Sequence, residues 1–154
     1  MLSTMIALPL LLAGSSGGAN NGAYVQLVPN EQLTHILVVN QNDRSLQLWA
    51  SFSTHSMNGR LTLEFSQGER KFQKQFEGYP AGGSDSVIML LPGAVYGLSY
   101  PTDYLRRVYR LSPGCYDVTI NLQLPQQSDA IGAGEISTAQ RNVCFSTNGV
   151  DGGA

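Results

Sequence analysis

Few residues in this chain could do acid–base or nucleophilic chemistry. His35 and His55 are its only histidines, and Cys115 and Cys144 its only cysteines. Ser53-Thr-His-Ser56 sets hydroxyls beside an imidazole, but adjacent strand residues point to opposite faces, so the pattern reads as a loop histidine near a hairpin. Asp85, Asp103 and Asp117 could act as an acid and base pair only if the fold gathers them. Each fits a turn or a strand surface equally well. The sequence holds no Gly-x-Ser-x-Gly elbow, and Gly17-Gly18 and Gly82-Gly83 lack the following helix that phosphate binding requires. A small hydrolase using His55 or the aspartates is therefore a minor reading. The expectation is a protein that is not an enzyme, with no cofactor.

Cys115 follows Gly114 and precedes Tyr116, while Cys144 lies between Val143 and Phe145. If the aromatic and aliphatic residues point inward, both thiols project from the outer face of neighbouring strands. A disulfide between them would close a loop of about 30 residues and stabilise the fold by roughly 3–4 kcal/mol. Two free thiols in a cytosolic or virion protein are the alternative. Without Cys-x-x-Cys spacing a metal site is not expected.

The aromatic and basic residues are a richer set. Trp49 with Tyr96, Tyr100 and Tyr104 could form a sugar-stacking platform or a protein-contact hot spot, because rings give large contact area at small entropic cost. Arg106 and Arg107, with Arg110, could clamp carboxylates or phosphates. Ordinary core and rim packing is the competing account of the same residues.

Those side chains must be positioned by one domain. The chain has 154 residues, enough to bury a core without metal or several disulfides. Only 13% of residues are charged, about half the usual share, so the polar surface is built from Ser, Thr, Asn, Gln and Gly. A net charge of −2 gives no field that would attract nucleic acid, so none is expected as a partner. Residues 1–23 open with the apolar run Met5-Ile-Ala-Leu-Pro-Leu-Leu-Leu-Ala13 and continue into a Gly-rich linker. The run is too short to span a bilayer, which takes about twenty residues. It matches the core of a signal peptide, although no Lys or Arg precedes Arg44. It also fits a retained docking arm, touching a membrane only through residues 1–13, or a segment foreign to the native chain. Ser15 stands where a lipoprotein box would need its cysteine, so lipidation is excluded.

Residues 24–147 read as a β domain, and 148–154 as a flexible tail. The clearest element follows Pro113-Gly114: Tyr116, Val118, Ile120, Leu122 and Leu124 alternate with Cys115, Asp117, Thr119, Asn121 and Gln123. Period-two alternation over that length is a half-buried strand that needs a second layer over its apolar face. Other strands are expected at 24–28, 34–39, 46–52, 61–65 and 135–146. Val87-Ile-Met-Leu-Leu91 reads as a buried strand, and about 105–111 as a strand after a loop. Asn58-Gly59 signals a hairpin. Short strands with frequent turns predict an all-β, two-sheet β-sandwich of immunoglobulin-like or jelly-roll type, carrying an N-terminal apolar arm.

Two stretches carry a resemblance. Ser112-Pro-Gly-Cys-Tyr-Asp-Val118 resembles the tyrosine corner of immunoglobulin-like and fibronectin-type sandwiches, which implies a structural role for Tyr116. Ile36-Leu-Val-Val-Asn-Gln-Asn-Asp-Arg-Ser-Leu-Gln-Leu-Trp49 is similar to the second and third strands of extracytoplasmic immunoglobulin-like domains, periplasmic pilus chaperones among them. Those chaperones hold a subunit's C-terminus with a basic pair, and nothing basic precedes Arg44 here, so that activity does not carry over. The functional expectation is a structural or assembly subunit of a virion, filament or surface complex. It would be extracytoplasmic and act through contacts with protein subunits, its own copies or others. A secreted carbohydrate- or ligand-binding module, with a glycan as partner, is the alternative.

Overall fold

The computed structural model describes residues 22–50, 60–72, 74, 86–125 and 134–146. The apolar run at 5–13, the Asn58-Gly59 turn, His55, Asp85 and the tail from 148 lie outside these residues. Within them the protein is mostly β, with antiparallel pairing throughout and one short helix. β1 (Ala23–Pro29), β2 (Leu33–Asn40) and β7 (Val95–Pro101) form one sheet in the order β1-β2-β7. β3 (Leu46–Trp49) pairs with β6 (Val87–Leu90). β4 (Leu61–Gln67), β5 (Arg70–Phe72), β8 (Gly114–Gln123) and β9 (Glu135–Phe145) form the largest sheet, ordered β5-β4-β8-β9.

β8 is central in that sheet, and its alternation is realised: Tyr116, Val118, Ile120 and Leu122 are buried, while Cys115, Asp117 and Gln123 are exposed. Val25, Leu27, Ile36 and Val38 from the three-stranded sheet join these residues in one apolar cluster. At one end of the cluster Phe65, Phe72, Tyr109, Tyr116 and Phe145 meet edge to face, with ring centroids from 4.9 to 6.3 Å apart.

β9 shows how sequence phase and backbone agree. Ile136, Thr138 and Gln140 take one face, but the next inward residues are Val143 and Phe145, a three-residue step. A β-bulge absorbs it, for pairing passes from Tyr116↔Val143 to Val118↔Gln140. Asn142 holds the bulge at φ 55°, a left-handed conformation that Asn tolerates, and its N–H donates to Asp117 Oδ1 at 3.2 Å.

The two larger sheets meet along β1 and β9, which run parallel there. Val25 N–H donates to Thr138 Oγ1 at 3.1 Å, and Gln140 bonds both the N–H and the carbonyl of Leu27. The seam is closed by side chains instead of a backbone ladder. Asn40, fully buried, makes the other join. Its Nδ2 donates to Leu90 O and Arg44 O, its Oδ1 accepts from Asn42 N–H, and its backbone pairs with Gly93 and Ala94.

Two expectations need correction. The stretch at 105–111 is not a strand: Thr102–Tyr109 forms helix α1. Pro101 cannot continue a helix but readily precedes one, and Leu105, Val108 and Tyr109 then fall on one buried face. Eight residues give barely two turns, too short for the periodicity to show. Thr102 Oγ1, which donates to Asn30 O and meets Thr34 Oγ1 at 3.0 Å, fastens the helix start to the β1–β2 turn. The second correction concerns 87–91. Only Leu90 is buried, whereas Val87, Met89 and Leu91 are 45%, 56% and 61% exposed. The continuous apolar run has one face in the core and one in water.

Candidate functional site

Trp49 occupies the last position of β3, directly across from Val87, and Gln47 lies across from Met89. Trp49, Gln47, Val87 and Met89 therefore share the outward face of this two-stranded sheet, with Leu91 continuing the β6 row. Leu46 and Leu48 point the other way and are buried. The Arg60 guanidinium lies 3.9 Å from the Trp49 ring centroid, so one face of the indole is covered by a largely buried cation. The result is an apolar strip, Trp49, Val87, Met89 and Leu91, whose outward residues carry no charge.

The tyrosines form two groups. Tyr96 donates its hydroxyl to Ala50 O at 2.8 Å, which places it beside the end of β3. Tyr100 lies four residues further along the same face of β7, about 13 Å away at strand spacing. With Tyr104 of α1 it adjoins Tyr109, whose phenol burial pushes well above its ordinary value, Tyr104 and Tyr100 adding to the effect. Tyr96, Tyr100 and Tyr104 are half-buried and pack against the core. The predicted aromatic platform is thus divided between the Trp49 strip and the β7–α1 corner.

The arginines do not converge as a clamp. Arg106 turns back to Asp103 at 3.6 Å, a helical i,i+3 pair, and Arg107 lies 5.7 Å from the Tyr104 ring. Arg110 ends the helix in the left-handed region, its N–H satisfied by Arg106 O and Arg107 O. Asp103 and Asp117 each hold a separate structural partner, Arg106 and the Asn142 N–H.

Cys115 and Cys144 are directly paired across β8 and β9 and are joined in a disulfide. Both are exposed, on the outer face. Tyr116 donates its hydroxyl to Ser112 O at 2.7 Å, tying the approach loop to the strand it enters.

One pairing has no counterpart in the sequence reading. His35 Nδ1 lies 2.7 Å from Ser99 Oγ, across the β2–β7 register, and its Nε2 lies 3.5 Å from Asn30 Nδ2. A Ser–His contact serves nucleophilic catalysis when a third group orients the imidazole as a base. Here the other ring nitrogen faces the Asn30 amide, whose Oδ1 accepts from the Gln32 and Leu33 N–H groups. The pair is a surface cross-strand contact; only strand register, unknown from sequence, could have revealed it.

Among the described residues no group of three His, Cys, Asp or Glu could hold a metal ion. No helix among them is long and apolar enough to cross a membrane. Neither the protein-family models nor the curated proteins include a match to this chain.

Proposed function

We propose that this protein is a non-enzymatic subunit that works by protein–protein contact, and that the contact face is the outward side of β3 and β6. The observation that carries the reading is the exposure of Val87 and Met89 on β6 and of Leu91 just beyond its end, with Trp49 paired across from Val87. An apolar row in water is costly, and such rows mark surfaces that another molecule covers. The half-covered Trp49 favours this reading over a sugar platform, which needs an open ring face. An immunoglobulin-like two-layer sandwich is the architecture we assign; the Tyr116–Ser112 bond supports it. The Cys115–Cys144 bridge supports an extracytoplasmic location, since disulfides persist in oxidising compartments.

The test is self-association, read by light scattering across rising protein concentration, for the wild type, Met89→Lys and Leu91→Lys. Wild-type assembly that both substitutions abolish is the expected result. A wild type that stays monomeric and gains no partner from its native source removes the reading.

A further inference from the structure

β7 ends one side of the three-stranded sheet, and its far side has no strand neighbour among the described residues. Asn40 N–H donates to Ala94 O, which fixes the phase of the β2–β7 ladder. Bonded and non-bonded pairs alternate in an antiparallel ladder, so Val38↔Tyr96, Ile36↔Leu98 and Thr34↔Tyr100 are the bonded pairs. Val95, Gly97 and Ser99 therefore turn their N–H and carbonyl groups away from β2, toward the open edge. All three are exposed, Val95 at 56%. An edge of this kind is a template for a further strand.

Two other edges in the fold are closed by recognisable means. At β1 the outward backbone groups of Val25 and Leu27 are taken by Thr138 and Gln140. β5 is three residues long and carries Arg70 and Lys71, a length and charge that discourage pairing. Over 95–99 β7 has no charge, no proline and no bulge in its register with β2. Its pairing surface ends only at Pro101, which has no N–H, with α1 following directly.

Gly97 sets what kind of strand fits. Leu37, its partner across the ladder, reaches over it: a Cβ at Gly97 would lie 2.5 Å from Leu37 Cδ2. An incoming residue opposite Gly97 thus meets no side chain from β7 and lays its own toward Leu37. An aromatic or branched apolar residue suits that place, as where a ring covers a glycine on the neighbouring strand. A second copy would set Gly97 against its own equivalent, a poor cross-strand pair, so the fit is to a different sequence.

We propose that the outer edge of β7 receives an extended strand of a partner protein, bonded antiparallel at Val95, Gly97 and Ser99. That strand carries an aromatic or branched apolar side chain opposite Gly97. The edge is separate from the outward face of β3 and β6, so the proposal goes beyond the contact reading and does not depend on it.

The experiment titrates the full chain with short synthetic strand peptides of alternating threonine and valine, the central residue being phenylalanine, isoleucine or glycine. Amide hydrogen exchange is followed residue by residue. With the phenylalanine and isoleucine peptides, exchange at Val95, Gly97 and Ser99 slows several-fold, while Leu98, already bonded to β2, is unchanged. The glycine peptide has the weakest effect. Methylating the peptide nitrogens that face β7 abolishes binding, and methylating the alternate set does not. Val95→Pro, which removes an outward N–H and no bond to β2, weakens binding about tenfold. Met89→Lys leaves binding unchanged, so this proposal and the contact reading fail separately. No slowing with any peptide overturns the proposal. Binding that survives methylation of the facing nitrogens overturns it as well, since side chains alone would then hold the peptide. Slowing that grows with protein concentration, without peptide, makes a second copy the occupant and overturns it too.

Discussion

The Gln140 carboxamide forms two hydrogen bonds with the backbone of Leu27, accepting from its N–H at 2.9 Å and donating to its carbonyl at 2.8 Å. A primary amide offers the same donor and acceptor as a peptide group, so Gln140 stands in for a neighbouring strand at the edge of β1. Removing it strands two backbone groups in a half-buried seam. Gln140→Leu should cost about 1–3 kcal/mol, read as a lower denaturant midpoint. The Leu27 amide should lose hydrogen-exchange protection more than Ile36, which the β2 ladder holds on both sides. Unchanged exchange at Leu27 would show that the seam does not depend on this side chain.

The disulfide makes the second prediction. Cys115 and Cys144 close a sequence separation of 29 between strands that are already paired. Cys115→Ser with Cys144→Ser should lower stability by about 3–4 kcal/mol on the chain-entropy account, while the β-sheet circular dichroism persists below the transition. Reductant should shift the wild-type midpoint to that of the double variant and leave the variant unmoved.

Tyr116 separates two contributions in one residue. Tyr116→Phe keeps the ring against Phe72, with centroids 5.2 Å apart, and deletes only the donor to Ser112 O. The expected cost is about 1 kcal/mol, against about 3–5 kcal/mol for Tyr116→Ala, which also empties the aromatic cluster. Thermal unfolding of the two variants side by side measures the difference.

Tyr109 sets an alkaline limit. Its phenol is held above the ordinary value of 10.0, chiefly by burial. The folded state keeps the proton that the unfolded chain releases, so this contribution is whole below about pH 10 and is lost as pH rises beyond it. Wild-type stability should fall through that window. In Tyr109→Phe, which keeps the ring beside Phe65, the fall should be visibly shallower in denaturant midpoints taken across it.

How much of this was readable in the sequence differs by element. β8 was plain, because five inward residues in strict alternation leave no other regular structure. The three-residue step from Gln140 to Val143 was visible as letters, but its meaning needed Asp117 opposite Asn142. Helix α1 was hidden by its length, since Leu105, Val108 and Tyr109 make a single helical repeat that a strand also tolerates. The site was less legible still. Trp49 stands out in the sequence, yet the residues that share its face, Val87 and Met89, read there as core. A run of five apolar residues reads the same whether one side or both are covered. Arg60 over the indole and Ser99 beside His35 depend on register and topology, which composition and spacing do not encode.

The side-chain seam also decides how the domain meets mechanical load. Because β1 and β9 lie parallel, a pull between Ala23 and Phe145 draws them past each other lengthwise. The bonds from Thr138 and Gln140 then share the tension at once instead of tearing in succession. Pulled at those two residues, the domain would resist as a unit and yield abruptly when that short row slides.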